Sequence, residues 1–226
     1  MKRAFDLVVA TVGLIFSLPL LLLVAVAVRL FDGTPVFFVQ KRVGQFSQPF
    51  EMYKFRTMKE FSGASGSQLT VNGDKRITKC GRVLRKTKLD EMPQLLNVIK
   101  GDMSFVGPRP EVQHYVDKYT DNQKQVLKLK PGITDEASIQ YVDESALLAK
   151  SENPEQFYID VVMPEKIRIN LDYAKHSNLW TDIKVVFRTV FRVMNVHKPD
   201  ASNADLYQAC PGQLADSAKQ MTKDAA

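Results

Sequence analysis

Two adjacent carboxylates, Asp90 and Glu91, lie in a part of the chain that is otherwise rich in cations. Nearby cations favour the ionised form of a carboxylate, which suits a nucleophile or a ligand for a hard divalent ion but not a general acid. We therefore expect both carboxylates to be ionised. The surrounding cations include Lys54, Arg56, Arg85 and Arg109, which are candidates for binding an anionic substrate, since guanidinium groups can brace phosphate oxygens.

Two ionised carboxylates can share the work of phosphoryl transfer. Neighbouring side chains on a helix diverge by about 100°, so one can attack phosphorus while the other holds a metal. Attack by a carboxylate gives an acyl phosphate and splits one displacement into two steps. Mg²⁺ typically takes one or two carboxylates and completes its shell with water and substrate phosphates. This pattern predicts metal-assisted phosphoryl transfer.

A purely structural interpretation of the same residues is also open. In the segment from Thr87 to Ile99 apolar residues recur at helical spacing. Thr87 would be the N-cap of that helix, and Asp90, three residues later, would be the acid of a capping box. Under this interpretation the carboxylates are an ordinary helix start.

The length, net charge and cysteine content of the chain limit the classes of protein to which it can belong. A chain of 226 residues holds one compact domain and an appendage. Its net charge of +6 suits an anionic partner such as phosphate, a lipid headgroup or nucleic acid. Cys80 and Cys210 lie far apart and form no metal-binding or disulfide pattern, which fits a reducing cytosolic environment.

The elements that must position the carboxylates begin with an apolar segment, Phe5 to Val28, whose only charge is Asp6. About 20 such residues suffice to cross a hydrocarbon core. A cleavable signal peptide is the rival, but the run is too long and is followed by Arg29 instead of a small-residue cleavage site. We expect a membrane segment.

Basic residues flank both ends of this segment, so both ends are expected on the cytoplasmic side. Pro19 removes a backbone hydrogen bond near the middle, and the Ser17 hydroxyl could satisfy the freed carbonyl. A break at Ser17 and Pro19 would return the chain to its own side of the membrane. A straight spanning helix that tolerates one proline is the alternative.

Beyond the membrane segment the chain reads as short strands followed by helices. Residues Pro35 to Gly44 and Phe50 to Met58 predict two strands, Phe61 to Asp74 a mobile loop, and Glu111 to Leu129 and Asn153 to Tyr173 two helices. Leu179 to Val196 places Lys184, Arg188 and Arg192 on one stripe of a helix with apolar residues opposite. This helix could lie in a membrane interface or pack on the core.

At these residues the sequence resembles a known family. The segments KRAFDLVVA (2–10), PVFFVQKRVG (35–44), YKFRTM (53–58), LDEMPQLLNVIKGDMSFVGPRPE (89–111) and KPGIT (130–134) are similar to those of the bacterial sugar transferases, the monotopic polyprenyl-phosphate phosphoglycosyl transferases. The resemblance runs from about Lys2 to Met194.

The resemblance implies an enzyme that transfers a sugar phosphate from a UDP-sugar to undecaprenyl phosphate, releases UMP and begins the assembly of a membrane-associated glycan. By the family pattern Asp90 is the nucleophile, Glu91 binds Mg²⁺, and Arg56, Arg85 and Arg109 contact phosphates or organise the site. The protein would sit in the bacterial inner membrane with its catalytic domain facing the cytoplasm. A homodimer is left open.

The resemblance also predicts the organisation of the chain. The fold would be α/β, mostly helical with short strands and interfacial amphipathic helices. Residues 1–30 would form a re-entrant helix-break-helix, 31–198 the catalytic domain and 199–226 a flexible polar tail.

The chain departs from the family pattern at two places. Leu18 separates Ser17 from Pro19, and residues 135–144 (DEASIQYVDE) replace the Gly-Trp-Ala-Gln-Val-Asn-Gly-Arg of many relatives, so the sugar cannot be named. Two other functional classes remain as hypotheses: a noncatalytic membrane adaptor with a basic surface, and a nucleic-acid-binding protein, which no recognisable motif supports.

Overall fold

A computed structural model describes residues 1–59, 69–71 and 73–194, and this part of the chain is mostly helical with short strands, as the sequence predicts. The helices are α1 (Lys2–Phe31), α2 (Lys79–Thr87), α3 (Gln94–Lys100), α4 (Gln113–Val116), α5 (Glu136–Gln140), α6 (Glu144–Leu148), α7 (Pro154–Phe157), α8 (Met163–Lys175) and α9 (Leu179–Met194). The strands are β1 (Phe37–Val43), β2 (Pro49–Phe55), β3 (Ser104–Val106) and β4 (Gly132–Thr134).

Helix α1 lies against the rest of the protein along its whole length. In its first half Ala10 packs with Leu95 of α3, and in its second half Val28 packs with Phe55 of β2. The opposite face is uncovered, and Phe16 is 82% exposed. Within the described residues α1 is the one helix long and apolar enough to cross a membrane.

The predicted interruption at Ser17 and Pro19 is not seen, because α1 continues through Pro19 as a single helix. The Ser17 hydroxyl donates to the carbonyl of Leu14 at 3.3 Å, one residue before the Ile15 carbonyl that loses its donor to the proline. A helix can tolerate one missing hydrogen bond when its neighbouring turns stay intact.

The two predicted strands after α1 form an antiparallel hairpin, in which Phe37 pairs with Phe55 and Val43 with Pro49. The turn between them, Gln45–Ser47, holds Phe46 and Ser47 at positive φ. Asn97 of α3 fastens β2 to the helix: its amide donates to the Glu51 carbonyl at 2.6 Å and its oxygen accepts from the Tyr53 amide at 3.1 Å.

Strands β3 and β4 form a short parallel pair that brings two distant motifs together. Gly107 and Gly132 face each other so closely that a Cβ on Gly132 would lie 2.2 Å from the Gly107 nitrogen. Only glycine fits at this contact, so both glycines are required for the loop after β3 to lie beside β4.

The predicted helix from Asn153 to Tyr173 is confirmed: α7, a π-helical turn (Tyr158–Val162) and α8 follow one another without a gap. The predicted helix from Glu111 to Leu129 is wrong, because that segment holds only the single turn α4 and a 3₁₀ segment, Gln123–Lys128. Between them Thr120 and Gln123 bond to each other's backbone amides, which offers the chain an alternative to helical bonds.

The predicted helix at the end of the described chain is confirmed as α9. Val185 packs in the core against Val106 of β3, while Trp180 and Phe187 are 73% and 71% exposed. Most of the predicted loop Phe61 to Asp74, and the whole predicted tail 199–226, lie outside the described residues.

Candidate active site

Asp90 and Glu91 lie in a tight 3₁₀ turn, Leu89–Glu91, between α2 and α3. Helix α2 ends at Thr87 and is followed by Lys88 in the left-handed conformation (φ 58°, ψ 14°), and Pro93 precedes the first residue of α3. The predicted capping box is wrong, because Thr87 ends a helix and its hydroxyl donates back to the Val83 carbonyl at 2.9 Å. The carboxylates therefore do not cap the backbone in the way the structural interpretation requires.

Glu91 is held by two cations. Arg109 donates to both of its oxygens, to Oε2 at 3.2 Å and to Oε1 at a shorter distance, and Lys54 Nζ donates to Oε1 at 2.9 Å. Burial opposes the charge on Glu91, but Arg109 and Lys54 outweigh it and keep the pKa well below its ordinary range. Glu91 is ionised, as the sequence predicts.

Asp90 differs from its neighbour in both contacts and electrostatics. It is 6% exposed, and its Oδ1 is buried without a hydrogen-bond partner. Burial and the negative charge of Glu91 raise its pKa above the ordinary value, against the opposing pull of Lys54, Lys88 and Arg85. The expectation that cations would lower this pKa is therefore wrong, because desolvation outweighs attraction where the carboxylate leaves water.

Arg85 belongs to this charged cluster, whereas Arg56 does not. Arg85 Nε donates to Thr57 Oγ1 at 2.9 Å, and its charge acts on Asp90. Helix α2, which carries Arg85, can approach Thr57 closely because Gly81 has no Cβ. A Cβ at this position would lie 2.1 Å from the carbonyl oxygen of Thr57. Arg56 instead donates to the carbonyls of Asp32 and Thr34. It therefore holds the end of α1 and does not lie beside the carboxylates as the sequence predicts.

A residue that we did not predict from the sequence, Asp135, holds the loop that carries Arg109. Its Oδ2 accepts from the backbone amide of Arg109 at 2.9 Å, and its Oδ1 accepts from the Ser138 amide at 2.6 Å as the N-cap of α5. Asp135 is 1% exposed. An Asp followed three residues later by Ser is a capping signal, but nothing local in the sequence points to Arg109.

The carboxylates fit a magnesium ion only as part of a site that substrate completes. Among the described residues no three His, Cys, Asp or Glu side chains come together as a metal-binding group. Glu91 offers hard oxygen donors, and because Arg109 and Lys54 already donate to them, a magnesium ion would share this carboxylate with both cations. One or two carboxylates are common for Mg²⁺, whose remaining ligands are water and phosphate oxygens.

A small, partly open cavity is lined by Arg109. Its volume is about 40 Å³, and Glu111, Tyr158, Lys166 and Asn170 contribute to its wall. It has room for a few water molecules but not for a nucleotide sugar, and neither Asp90 nor Glu91 lines it. This cavity is not the substrate site.

The first turns of α1 are fastened to the protein by polar contacts. Lys2 pairs with the buried Asp182 of α9, and Asp6 accepts from Ser104 Oγ at 2.8 Å and from the Phe105 amide at 3.3 Å. Arg3 donates to the Val98 and Ile99 carbonyls at the end of α3. The N-terminal end of α1 therefore lies beside the domain that also holds its C-terminal end.

Comparison with known proteins adds independent information. Residues 1–196 match the family model described as bacterial sugar transferase. The sugar transferase EpsL of Bacillus subtilis, whose function is uncharacterized, is 37% identical over 194 residues, which cover 86% of this chain and 87% of that protein.

Two longer relatives have named activities. The UDP-glucose:undecaprenyl-phosphate glucose-1-phosphate transferase of Escherichia coli is 37% identical over 85% of this chain and 40% of its own length. The UDP-N-acetylgalactosamine-undecaprenyl-phosphate N-acetylgalactosaminephosphotransferase of Aeromonas hydrophila is 34% identical over 85% of this chain and 43% of its own length. The chain thus spans about two fifths of each.

Proposed function

The chain belongs to the bacterial sugar transferase family, and on this premise we propose that it is a phosphoglycosyl transferase that moves a sugar phosphate from a UDP-sugar to undecaprenyl phosphate and releases UMP. The observation that carries the proposal is the pairing of a buried Asp90, with one oxygen unpartnered, with Glu91 held by Arg109 and Lys54. Named relatives act on UDP-sugars and undecaprenyl phosphate.

In the proposed first step, a carboxylate oxygen of Asp90 attacks the phosphorus that bears the sugar. A bond forms between that oxygen and phosphorus, the bond from phosphorus to the bridging oxygen breaks, and UMP leaves with the electron pair. The sugar phosphate is then joined to Asp90 as an acyl phosphate. The raised pKa of Asp90 reflects a carboxylate that has lost its water shell, which makes its oxygen a better nucleophile once it is ionised.

In the proposed second step, a phosphate oxygen of undecaprenyl phosphate attacks the same phosphorus. The acyl phosphate bond breaks, Asp90 is regenerated, and the product is an undecaprenyl diphosphate sugar. Arg109, Lys54 and Arg85 supply fixed positive charge around the negative oxygens in both steps. A bound Mg²⁺, held by Glu91, would supply further charge neutralisation on the diphosphate.

We propose that the protein acts at the cytoplasmic face of the bacterial inner membrane, with both ends of α1 on the cytoplasmic side. Both ends of α1 contact the same domain, Lys2 through Asp182 and Asp32 through Arg56. If α1 spanned the bilayer, the domain that packs along it would be carried into the membrane. The uncovered apolar face of α1 and the exposed aromatic residues of α9 support a shallow position in one leaflet.

The adaptor hypothesis loses its main support at the carboxylates. It requires Asp90 to serve as a helix cap, whereas Thr87 ends a helix and Asp90 Oδ1 has no backbone partner. A buried, unpartnered carboxylate oxygen is costly to keep in a purely structural role.

The decisive experiment supplies full-length protein in nanodiscs with Mg²⁺, undecaprenyl phosphate and a panel of UDP-sugars, and measures released UMP. At least one donor should give turnover, and without acceptor the intact protein should gain the mass of one sugar phosphate. Asp90→Asn should show neither, whereas the control Asp121→Asn, at an exposed position, should show both. Absence of UMP release from every donor would contradict the proposal.

A further inference from the structure

Gln94, one helical turn beyond the two carboxylates, is a buried side chain with an unsatisfied donor. It is 1% exposed, and its Nε2 has no hydrogen-bond partner. Gln94 is the fourth residue after Asp90 and the third after Glu91, and side chains at these spacings are neighbours on a helical turn. The backbone between them is right-handed helical at Met92 and Pro93, so this spacing places Gln94 on the same side of the turn as the proposed nucleophile.

Asp90 presents the complementary orphan group. Its Oδ1 is a buried acceptor without a partner, whereas Gln94 Nε2 is a buried donor without one. The other polar side chain buried in this helix, Asn97, uses both ends of its amide. Unsatisfied buried groups are rare in folded proteins, and a functional state that satisfies them is one explanation for their presence.

We propose that Gln94 is a positioning residue for the nucleophile: in the substrate-bound protein its amide donates to Asp90 Oδ1, a bond not made in the free protein, and so assigns the attack to Oδ2. The same donor then serves the carbonyl oxygen that Oδ1 becomes when Oδ2 is bonded to phosphorus. This inference rests on the proposed phosphoglycosyl transfer and adds to it a named orienting group.

The test is Gln94→Met, which keeps the side-chain volume and removes the amide, in full-length protein in nanodiscs. We expect kcat for UMP release to fall about 10- to 30-fold, the loss typical of one hydrogen bond to a charged group, with KM for the UDP-sugar within twofold of wild type. Because the lost donor has no partner in the free protein, the unfolding temperature should stay equal or rise.

Tyr115→Phe provides the matched control. Tyr115 is also 1% exposed with an unpartnered hydroxyl, but it lies in the core formed by the α4 and α8 segments. Its removal should also leave the unfolding temperature equal or higher, and it should not change kcat.

Three results for Gln94→Met would overturn the inference. An unchanged kcat would show that the amide does not act on Asp90. A marked drop in the unfolding temperature would show that the Gln94 amide has a structural partner. A rise in KM that accounts for the whole loss in kcat/KM would show that the amide binds the substrate and not Asp90. If Asp90→Asn is inactive while Gln94→Met behaves as wild type, this inference fails and the proposed function stands.

Discussion

The backbone amide of Arg109 donates to Asp135 Oδ2 at 2.9 Å, so a residue after β4 fixes the position of the loop after β3. The side chain of Arg109 in turn grips both oxygens of Glu91. Three segments far apart in sequence, around residues 91, 109 and 135, thus form one chain of charge-assisted contacts.

Asp135→Ala should reduce both stability and activity. It removes a buried carboxylate that accepts from the amides of Arg109 and Ser138, and we expect the free energy of unfolding to fall by about 2 kcal/mol. UMP release should fall at least tenfold because Arg109 is no longer held on Glu91. Ser138→Ala is the matched control, since it removes only the hydroxyl bond to Asp135 and should keep most activity.

The activity should decline at alkaline pH because of Lys54. Burial lowers the pKa of Lys54 to about 8, even though the attraction of Glu91 opposes this shift. As pH rises through about 8, Lys54 loses its proton, the site loses one positive charge, and kcat/KM for the anionic UDP-sugar should fall. The free-enzyme pKa appears in a pH profile of kcat/KM.

Lys54→Arg should move this alkaline limb to higher pH, because a guanidinium stays protonated across the range. The lowered pKa of Lys54 also affects stability. Between pH 8 and 10.5 the side chain of Lys54 binds more protons in the unfolded chain than in the folded one, so its contribution to the free energy of unfolding rises with pH. An alkaline limb that stays in place in Lys54→Arg would assign it to another group.

Gly132→Ala should destabilise the protein, because the new Cβ would lie 2.2 Å from the backbone nitrogen of Gly107. Neither strand can move without separating Arg109 from Asp135, so we expect a loss of about 2 kcal/mol or more in unfolding free energy, measured by denaturant titration in detergent. Gly13→Ala is the control. Its Cβ would meet only Leu95 Cδ1 at 3.8 Å, and alanine favours a helix over glycine by about 1 kcal/mol.

Both ends of α1 should lie on the same side of the membrane. In a variant with Cys80 and Cys210 replaced by serine, single cysteines at the exposed positions Ala4, Lys41 and Lys150 should react alike with an impermeant maleimide. All three should be labelled in inverted vesicles and protected in intact spheroplasts. Labelling of the Ala4 variant in spheroplasts would show that α1 spans the bilayer.

Helix α9 should touch lipid through Trp180, the only tryptophan in the sequence and 73% exposed in the structure. An exposed tryptophan in an interfacial helix lies at the headgroup level. Its fluorescence should therefore be quenched by phospholipids brominated near the headgroup, and weakly by acrylamide in water. The opposite pattern would place this face of α9 in solvent.

The sequence alone determined the features that depend on local pattern and composition. The uniform apolarity of α1, the β-rich composition of the two hairpin strands and the helical spacing of α8 and α9 each lie within one continuous segment, so they can be read without knowledge of the rest of the chain. The grouping of Asp90, Glu91 and Arg109 was predicted from the sequence because these residues lie among several other cations and match motifs of a known family.

Only the tertiary structure decided how these groups differ. Asp90 and Glu91 are chemically similar neighbours, yet one is desolvated with an orphan oxygen and the other is neutralised by Lys54 and Arg109 from two other segments. Arg56 donates to the end of α1 instead of lying with the carboxylates, while Asp135 holds the loop of Arg109 although no local sequence signal pointed to that contact. Burial and long-range contacts set the electrostatics of a side chain, and neither is encoded in the spacing of its sequence neighbours.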